Sequence, residues 1–166
     1  MNGAFQEMKS LSPQDLPPPG ERRGRKVIGW RCTYVPEEII YAAGMFPLRV
    51  RGGSGEIQEA SAYLHANTCS FSRSCLERTL DGTYRLLDGV VSTTSCDPKR
   101  RLYDYWKRYL PIGYIHLVHL PHAVSAASQE FYRSEIARLQ ETLEEFGGEP
   151  IAEEAIREAL RPRASR

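Results

Sequence analysis

The segment GVVSTTSCDPKRRLYDYWKRY, residues 89–109, decides the fold because it joins a predicted strand directly to a predicted helix. Residues 89–95 are small and β-branched, which favours a buried strand. A helix is predicted from Asp97 to about Tyr109, with Asp97 as the N-cap and Pro98 at the first helical position. A strand that leads at once into a helix is the repeating unit of a parallel α/β sheet.

The same alternation continues on both sides of this segment. Further strands are predicted over residues 26–35, 46–50 and 113–121, and helices over 36–44, 56–64, 70–87, 125–146 and 151–160. The pattern predicts an α/β fold of three layers, in which helices flank a mainly parallel, Rossmann-like sheet of about four strands.

Composition divides the chain into three parts. Residues 1–25 contain a triple proline and an arginine cluster, and this composition predicts a disordered leader. Residues 26–160 are expected to form the α/β domain, and residues 161–166 a basic tail.

Charge and hydropathy exclude several classes of partner. The 166 residues include 22 basic and 21 acidic ones, so the net charge of +1 gives no field for nucleic acid or for a membrane surface. No apolar run approaches the ~18–20 residues of a membrane helix. Four cysteines without a secretory signal indicate a reducing compartment, and we expect a cytoplasmic protein.

Two cysteines are predicted at places where a loop enters a helix. Cys96 follows the strand at 89–95, and Cys69 precedes the helix that starts near Ser70. In parallel sheets such loops line the functional edge, so the two thiols could meet at one metal or cluster. Their separation of 27 positions matches neither ferredoxins nor zinc ribbons, and cysteine is often a small core residue, so a packing role stays open.

The other metal-ligating residues give weaker signals. Cys75 should face away from Cys69 on the same helix, and packing in the core is favoured for it. Cys32 ends the first strand, where a buried position is favoured over a thiol that faces the site. His116 and His119 point to opposite faces of a strand and should not share an ion. His122, just past that strand, could reach the site but fits an ordinary loop histidine equally.

A carboxylate near the same edge is a candidate catalytic group. Glu37 and Glu38 open a predicted helix, and Glu38 could act as an acid or base. Stabilisation of the first helical turn explains both residues without catalysis. The loop GGSG, residues 52–55, lacks the lysine of a phosphate-binding loop, so ATP binding by this chain is not indicated.

Taken together, the motifs resemble the N-terminal domain of the 2-hydroxyacyl-CoA dehydratase and benzoyl-CoA reductase subunit family. The resemblance rests on several segments that occur in the family's order. They are CTYVPEEIIYAAGMFPLRVRGG at 32–53, HANTCSFSRS at 65–74, DGVVSTTSCDPKRRLYDYW at 88–106, YIHLVHLPH at 114–122 and the helix FYRSEIARLQETLEEFGG at 131–148.

The resemblance implies oxygen-sensitive radical chemistry on CoA thioesters. Members of this family hold an iron–sulfur cluster, typically [4Fe–4S], and an ATP-hydrolysing activator protein injects a low-potential electron. In the dehydratases the electron gives a ketyl radical from which the 2-hydroxy group leaves, and in the reductases it goes to an aromatic ring. A related branch carries a double-cubane cluster. The resemblance therefore implies a partner subunit, the activator and a CoA thioester substrate.

Carried over by position, Cys69 and Cys96 match the two cluster ligands of the family's first domain. The family draws a third cysteine from a later domain that this chain does not include, so we expect a truncated or split subunit with a ligand from elsewhere. Cys32 or Cys75 could substitute, although the helix geometry disfavours Cys75. The sequence LPH at 120–122 also differs from the basic residue expected after that proline.

Two other functions stay open at this point. An inactive α/β remnant that only binds a partner would hold no iron. A cysteine-based redox or transferase enzyme would use Cys96, its thiolate favoured by the helix dipole and by Lys99, Arg100 and Arg101.

Overall fold

The computed structural model of the chain describes Arg22 and residues 24–161. The predicted leader and tail therefore lie almost wholly outside the described residues. Arg25, which the prediction assigned to the leader, donates from Nε to the carbonyl oxygen of Gly44 at 2.7 Å and lies over the Phe46 ring.

Four parallel strands form a single sheet in the order β2-β1-β3-β4. Both faces of this sheet are covered by helices, so the predicted three-layer α/β fold is confirmed. The strands are β1 (Val27–Trp30), β2 (Phe46–Arg49), β3 (Gly89–Thr93) and β4 (Tyr114–Val118). The helices are α1 (Glu37–Ala42), α2 (Ser70–Leu80), α3 (Asp97–Tyr109), α4 (Ala126–Gly147) and α5 (Glu153–Leu160).

Each face of the sheet supports its own hydrophobic core. Because side chains alternate along a strand, Val27 and Val90 point to one face while Ile28 and Val91 point to the other. The first core packs against α2 and α3 and contains Leu76, Leu102 and Trp106. The second packs against α1, α4 and α5 and contains Ile40, Leu139 and Leu143. Burial on both faces explains why β1 is apolar along its whole length.

Helix α4 begins and ends where the sequence indicates. The hydroxyl oxygen of Ser125 accepts from the backbone N–H of Ser128 at 3.1 Å and caps the first turn. Gly148 ends the helix with φ +82°, a left-handed conformation that suits glycine.

Two predicted helices are shorter than expected. Residues 56–64 contain only a 3₁₀ turn, Glu59–Ala62, because the Glu77 carboxylate accepts the backbone N–H groups of Glu59 and Ala60 and fixes the segment to α2. The helix predicted to reach Leu87 ends at Leu80. Gly82 follows in the left-handed region at φ +82°, and the Asp81 side chain accepts from the backbone N–H of Thr83.

The start of α3 also differs from the prediction. The N-cap is Cys96, with extended backbone at φ −159° and ψ 159°, while Asp97 and Pro98 are the first helical residues. This shift of one residue places the thiol itself at the junction of loop and helix.

Within residues 24–161, none of the helices is both long enough and apolar enough to cross a membrane.

Candidate functional site

The strand order identifies one edge of the sheet as the place for a site. All four strands are parallel, so their carboxyl ends lie at the same edge. From β1 the chain moves first to β2 on one side and then to β3 on the other, so the direction of winding switches between β1 and β3. Ligand sites in open α/β sheets form beyond the strand ends at such a switch.

Cys96 lies at this switch. It follows the carboxyl end of β3, its side chain is exposed, and it is the N-cap of α3. Two of the three basic residues predicted to favour its thiolate contact other groups. Lys99 Nζ contacts Cys32 Sγ at 3.0 Å, and Arg101 pairs with Asp97 at 3.5 Å. Lys99 thus contacts the thiol of Cys32.

Cys69 is linked to the end of β1 through two polar side chains. It is the exposed N-cap of α2, and its Sγ lies 3.3 Å from the Ser72 hydroxyl oxygen. The same oxygen accepts from Arg31 Nη2 at 2.6 Å, and Arg31 directly follows β1. Partial burial raises the pKa of Cys69, but hydrogen bonding with Ser72 and the positive charge of Arg31 outweigh it and lower the pKa overall.

Cys32 is not the buried strand residue that the sequence favoured. It lies beyond β1, half-buried, with φ +95°, the one non-glycine residue with positive φ among those described. Its Sγ contacts Lys99 Nζ and lies 3.4 Å from the Ser95 hydroxyl oxygen. Burial raises the pKa of this thiol, yet hydrogen bonds from Ser95, Thr93, the Tyr34 backbone and Lys99 reverse the effect and bring the pKa to about 7.

Cys75 is a core residue, as predicted. Its side chain is fully buried on α2, and burial raises the pKa of the thiol to about 11. Such a thiol is neutral and inert at physiological pH.

The histidines of β4 and of the loop after it differ in burial. His116 is buried against α4, where its Nδ1 lies 3.0 Å from the Thr142 hydroxyl oxygen. Burial lowers the pKa of His116 to about 4, so this side chain is neutral. His119 is exposed, and His122 lines a cleft at the site edge.

That cleft has a volume of about 500 Å³ and lies between the ends of β3 and β4 and the start of α4. Its floor is formed by Thr94 and Ser95, and its walls include Leu120, Tyr34 and Tyr132. The Tyr132 hydroxyl donates to the Tyr34 carbonyl oxygen at 2.7 Å, which ties α4 to the loop after β1. An apolar cleft with a few polar groups is the usual form of a small-molecule site.

Glu38 lies in the first turn of α1, the helix that follows the carboxyl end of β1. It lines a second, more polar cleft of about 440 Å³, together with Trp30, Arg49 and the two tyrosines that the first cleft also contains. The four cysteines line neither of these two clefts.

The described residues thus provide two exposed cysteines at N-cap positions on one edge. All four cysteines are free. Across Arg22 and residues 24–161, no three His, Cys, Asp or Glu side chains are grouped closely enough to hold a metal ion on their own.

The sequence alone did not identify two residues of this edge, Arg31 and Ser95. Ser95 contacts Cys32 across 63 positions of the chain, and Arg31 is linked to Cys69 through Ser72 of α2, which lies 41 positions away from Arg31. A basic residue inside a predicted buried strand was the available signal for Arg31, because a charged side chain at such a position needs a partner.

The fold and its thiol-bearing edge define an α/β domain of the kind that binds a ligand beyond its strand ends. The family model for the 2-hydroxyglutaryl-CoA dehydratase D-component matches residues 32–165, and the chain belongs to this family.

Three relatives illustrate the range of the family. The chain is 33% identical over 141 residues to the (R)-phenyllactyl-CoA dehydratase beta subunit of Clostridium sporogenes, covering 84% of this chain and 38% of that protein. It is 33% identical over 140 residues to a benzoyl-CoA reductase subunit of Thauera aromatica, covering 82% and 36%. It is 33% identical over 160 residues to the beta subunit of (R)-2-hydroxyglutaryl-CoA dehydratase of Acidaminococcus fermentans, covering 95% and 42%. The chain thus spans about two fifths of the length of these relatives.

Proposed function

We propose that this chain is the cluster-binding N-terminal domain of a 2-hydroxyacyl-CoA dehydratase-type subunit, with Cys69 and Cys96 as thiolate ligands of an iron–sulfur cluster, [4Fe–4S] in form. The observation that carries the proposal is the position of the two thiols. Both are exposed N-caps of helices, and both lie at the edge where the carboxyl ends of the strands meet.

The donor set fits such a group in its chemistry. Thiolates are the usual ligands of iron–sulfur clusters, and the positive end of a helix dipole favours the thiolate over the thiol. Two ligands are fewer than a cluster needs, so the remaining ones come from another part of the assembly. We infer that a partner subunit, or the region that the longer relatives have beyond the matched part, completes the site.

When bound, the cluster would supply one-electron transfer at low potential, driven by an ATP-hydrolysing activator protein. The residues of this chain would bind the substrate and exclude water from the reacting group. The cleft beside Ser95 is large enough for the acyl end of a CoA thioester, and its apolar walls would keep water away from a ketyl radical. Glu38 is our candidate for proton transfer from the neighbouring polar cleft.

A reductase function is the alternative within the family. The chain is as similar to the benzoyl-CoA reductase protein as to the two dehydratase proteins, at 33% identity in each case. Aromatic-ring reduction, or small-molecule reduction at a double-cubane cluster, would use the same thiol-bearing edge. An inactive remnant that only binds a partner would leave the edge without a cluster.

Anaerobic reconstitution tests the proposal. The protein is incubated with iron, sulfide and a small thiol that can occupy the missing ligand positions, and its bound iron and visible spectrum are measured. We expect a brown parent protein, strong loss of iron in Cys69→Ser and in Cys96→Ser, and iron retention in the control Cys75→Ala, whose thiol is buried in the core. A colourless parent, or cysteine variants that hold as much iron as the parent, would overturn the assignment.

A further inference from the structure

Arg31 is a buried cation with unused hydrogen-bond donors. Its side chain is 2% exposed. Nη2 donates to the Ser72 hydroxyl oxygen at 2.6 Å, and the guanidinium lies over the Phe71 ring, with Cζ 4.9 Å from the ring centroid. Nε and Nη1 are buried and have no hydrogen-bond partner among the described residues. Two nitrogens of a rigid, planar group, with three N–H groups between them, are therefore left without an acceptor.

This arrangement is unlike that of the arginines in ion pairs. The side chains of those five arginines are solvent-accessible and pair with carboxylates: Arg78, Arg101, Arg133, Arg138 and Arg157. Arg31 is in none of the ion pairs that the described residues form. Burial of a charge without a counter-ion costs several kcal/mol, so a buried guanidinium with free N–H groups indicates an anion that binds beside it.

The surroundings of Arg31 indicate where that anion binds. Its two contacts, Phe71 and Ser72, form the first turn of α2, the helix that Cys69 caps. The Ser72 hydroxyl oxygen lies between the guanidinium and Cys69 Sγ, with 2.6 Å to Nη2 and 3.3 Å to the sulfur. An anionic centre held by Cys69 would thus lie within the field of this buried cation.

We propose that Arg31 is a positioning residue for the sulfur centre held at Cys69: its free N–H groups hydrogen-bond anionic sulfur of that centre, and its buried charge offsets the negative charge there. This inference rests on the proposed function. Hydrogen bonds to cluster sulfurs and a nearby positive charge stabilise the reduced, more negative state and raise the reduction potential. Arg31 therefore sets how readily the centre accepts an electron.

The test compares Arg31→Met and Arg31→Lys with the matched control Arg49→Met. Arg49 ends the neighbouring strand β2, and its exposed side chain lies 5.2 Å from the Trp30 ring, so this control removes one positive charge near the same edge without affecting a buried donor. Each protein is reconstituted anaerobically, its iron is counted, and its midpoint potential is measured by redox titration followed by electron paramagnetic resonance.

We expect Arg31→Met to bind iron as the parent does but to favour the oxidised state at least tenfold more, which for one electron is a midpoint lower by about 59 mV. Arg31→Lys keeps the charge and loses the planar fork, so its midpoint should fall between those of Arg31→Met and the parent. The midpoint of Arg49→Met should stay close to that of the parent. Equal midpoints for Arg31→Met and Arg49→Met, with iron bound in both, would overturn the inference.

Unfolding of the iron-free proteins separates this role from a structural one. A guanidinium that lacks its anion destabilises the fold, so iron-free Arg31→Met should be at least as stable as the iron-free parent. A structural arginine would give a less stable variant with and without iron and an unchanged midpoint, which would contradict the inference. A parent that binds no iron would instead show that the proposed function itself is wrong.

Discussion

The polar groups at the two edges of the sheet differ in whether they have hydrogen-bond partners within the chain. At the amino-terminal edge, the Asp88 carboxylate accepts from the backbone N–H of Val27 at 2.7 Å. Lys26 Nζ donates to the Phe146 carbonyl oxygen at 2.6 Å and lies over the ring of the same residue. Charged groups here have partners from the chain itself, and they join β1 to its neighbours.

At the carboxyl-terminal edge the chain leaves groups strained or without a partner. Cys32 has φ +95°, the Arg31 guanidinium has two nitrogens without acceptors, and Cys69 and Cys96 are exposed at helix starts. Strain and unsatisfied groups reduce stability and are found mainly where a protein binds or reacts. The amino-terminal edge thus stabilises the fold, and the carboxyl-terminal edge is where we propose that a ligand binds.

The largest loss of stability is expected from a substitution at the amino-terminal edge. In Gly89→Ala, the added Cβ would lie 2.8 Å from both the carbonyl oxygen and the Cβ of Tyr114, at the start of β3. Backbone cannot yield there without disturbing the strand pairing, so the free energy of unfolding should fall by about 3 kcal/mol. Gly55→Ala is the control, since a Cβ at Gly55 meets nothing within 4 Å. Equal stability of the two variants in urea denaturation would contradict the packing described for this edge.

A loss of stability of intermediate size is expected on protonation of His116, which lies in the interior between the two edges. Its pKa is about 4 in the folded protein and about 6.5 in the unfolded chain. The unfolded state binds the proton first, so the stabilisation is fully present above pH 6.5 and is lost as the pH falls through 4. The loss should reach about 2 kcal/mol, less than the pKa difference alone would give, because the site relaxes as it charges.

Denaturation curves at pH 7 and pH 4.5 measure this loss. His116→Gln should remove most of the difference between the two curves, and His119→Gln, at an exposed position of the adjoining loop, should leave it unchanged. If both variants keep the acid sensitivity of the parent, it arises from groups other than the buried imidazole.

The smallest expected difference in stability concerns the strained backbone of Cys32 at the carboxyl-terminal edge. Cys32→Gly and Cys32→Ala both remove the thiol and its contact with Lys99, but only glycine adopts φ +95° without steric cost. We expect the glycine variant to be more stable than the alanine variant by about 1 kcal/mol in urea denaturation. A more stable alanine variant would show that the backbone at Cys32 is not strained.

The sequence predicted the parts of this comparison that depend on local pattern. Buried strands, the Ser125 cap and the Gly148 stop are determined by neighbouring residues, and the rule for parallel sheets placed Cys69 and Cys96 at one edge. The helix predicted over 56–64 was wrong because Glu77, on another element, holds that segment in a 3₁₀ turn. Local propensity carries no information on such a contact.

The strand order, and the contacts of Arg31 and Cys32 at the point where the direction of winding switches, depend on pairing between distant parts of the chain. The order β2-β1-β3-β4 is a property of the whole sheet, and it is this order that puts the residue after β1 beside the loop after β3. Arg31 meets Ser72 across 41 positions, and Cys32 meets Lys99 across 67. A sequence pattern of period 2 or 3.6 cannot encode these pairs.

Mapping of cysteine protection tests most directly whether the carboxyl-terminal edge binds a cluster. Iron-free and anaerobically reconstituted protein are alkylated with iodoacetamide, and modification of each of the four cysteines is measured by peptide mass spectrometry. The account predicts that reconstitution protects Cys69 and Cys96, leaves Cys32 reactive, and does not change the slow reaction of buried Cys75. Equal alkylation of Cys69 and Cys96 before and after reconstitution would contradict it.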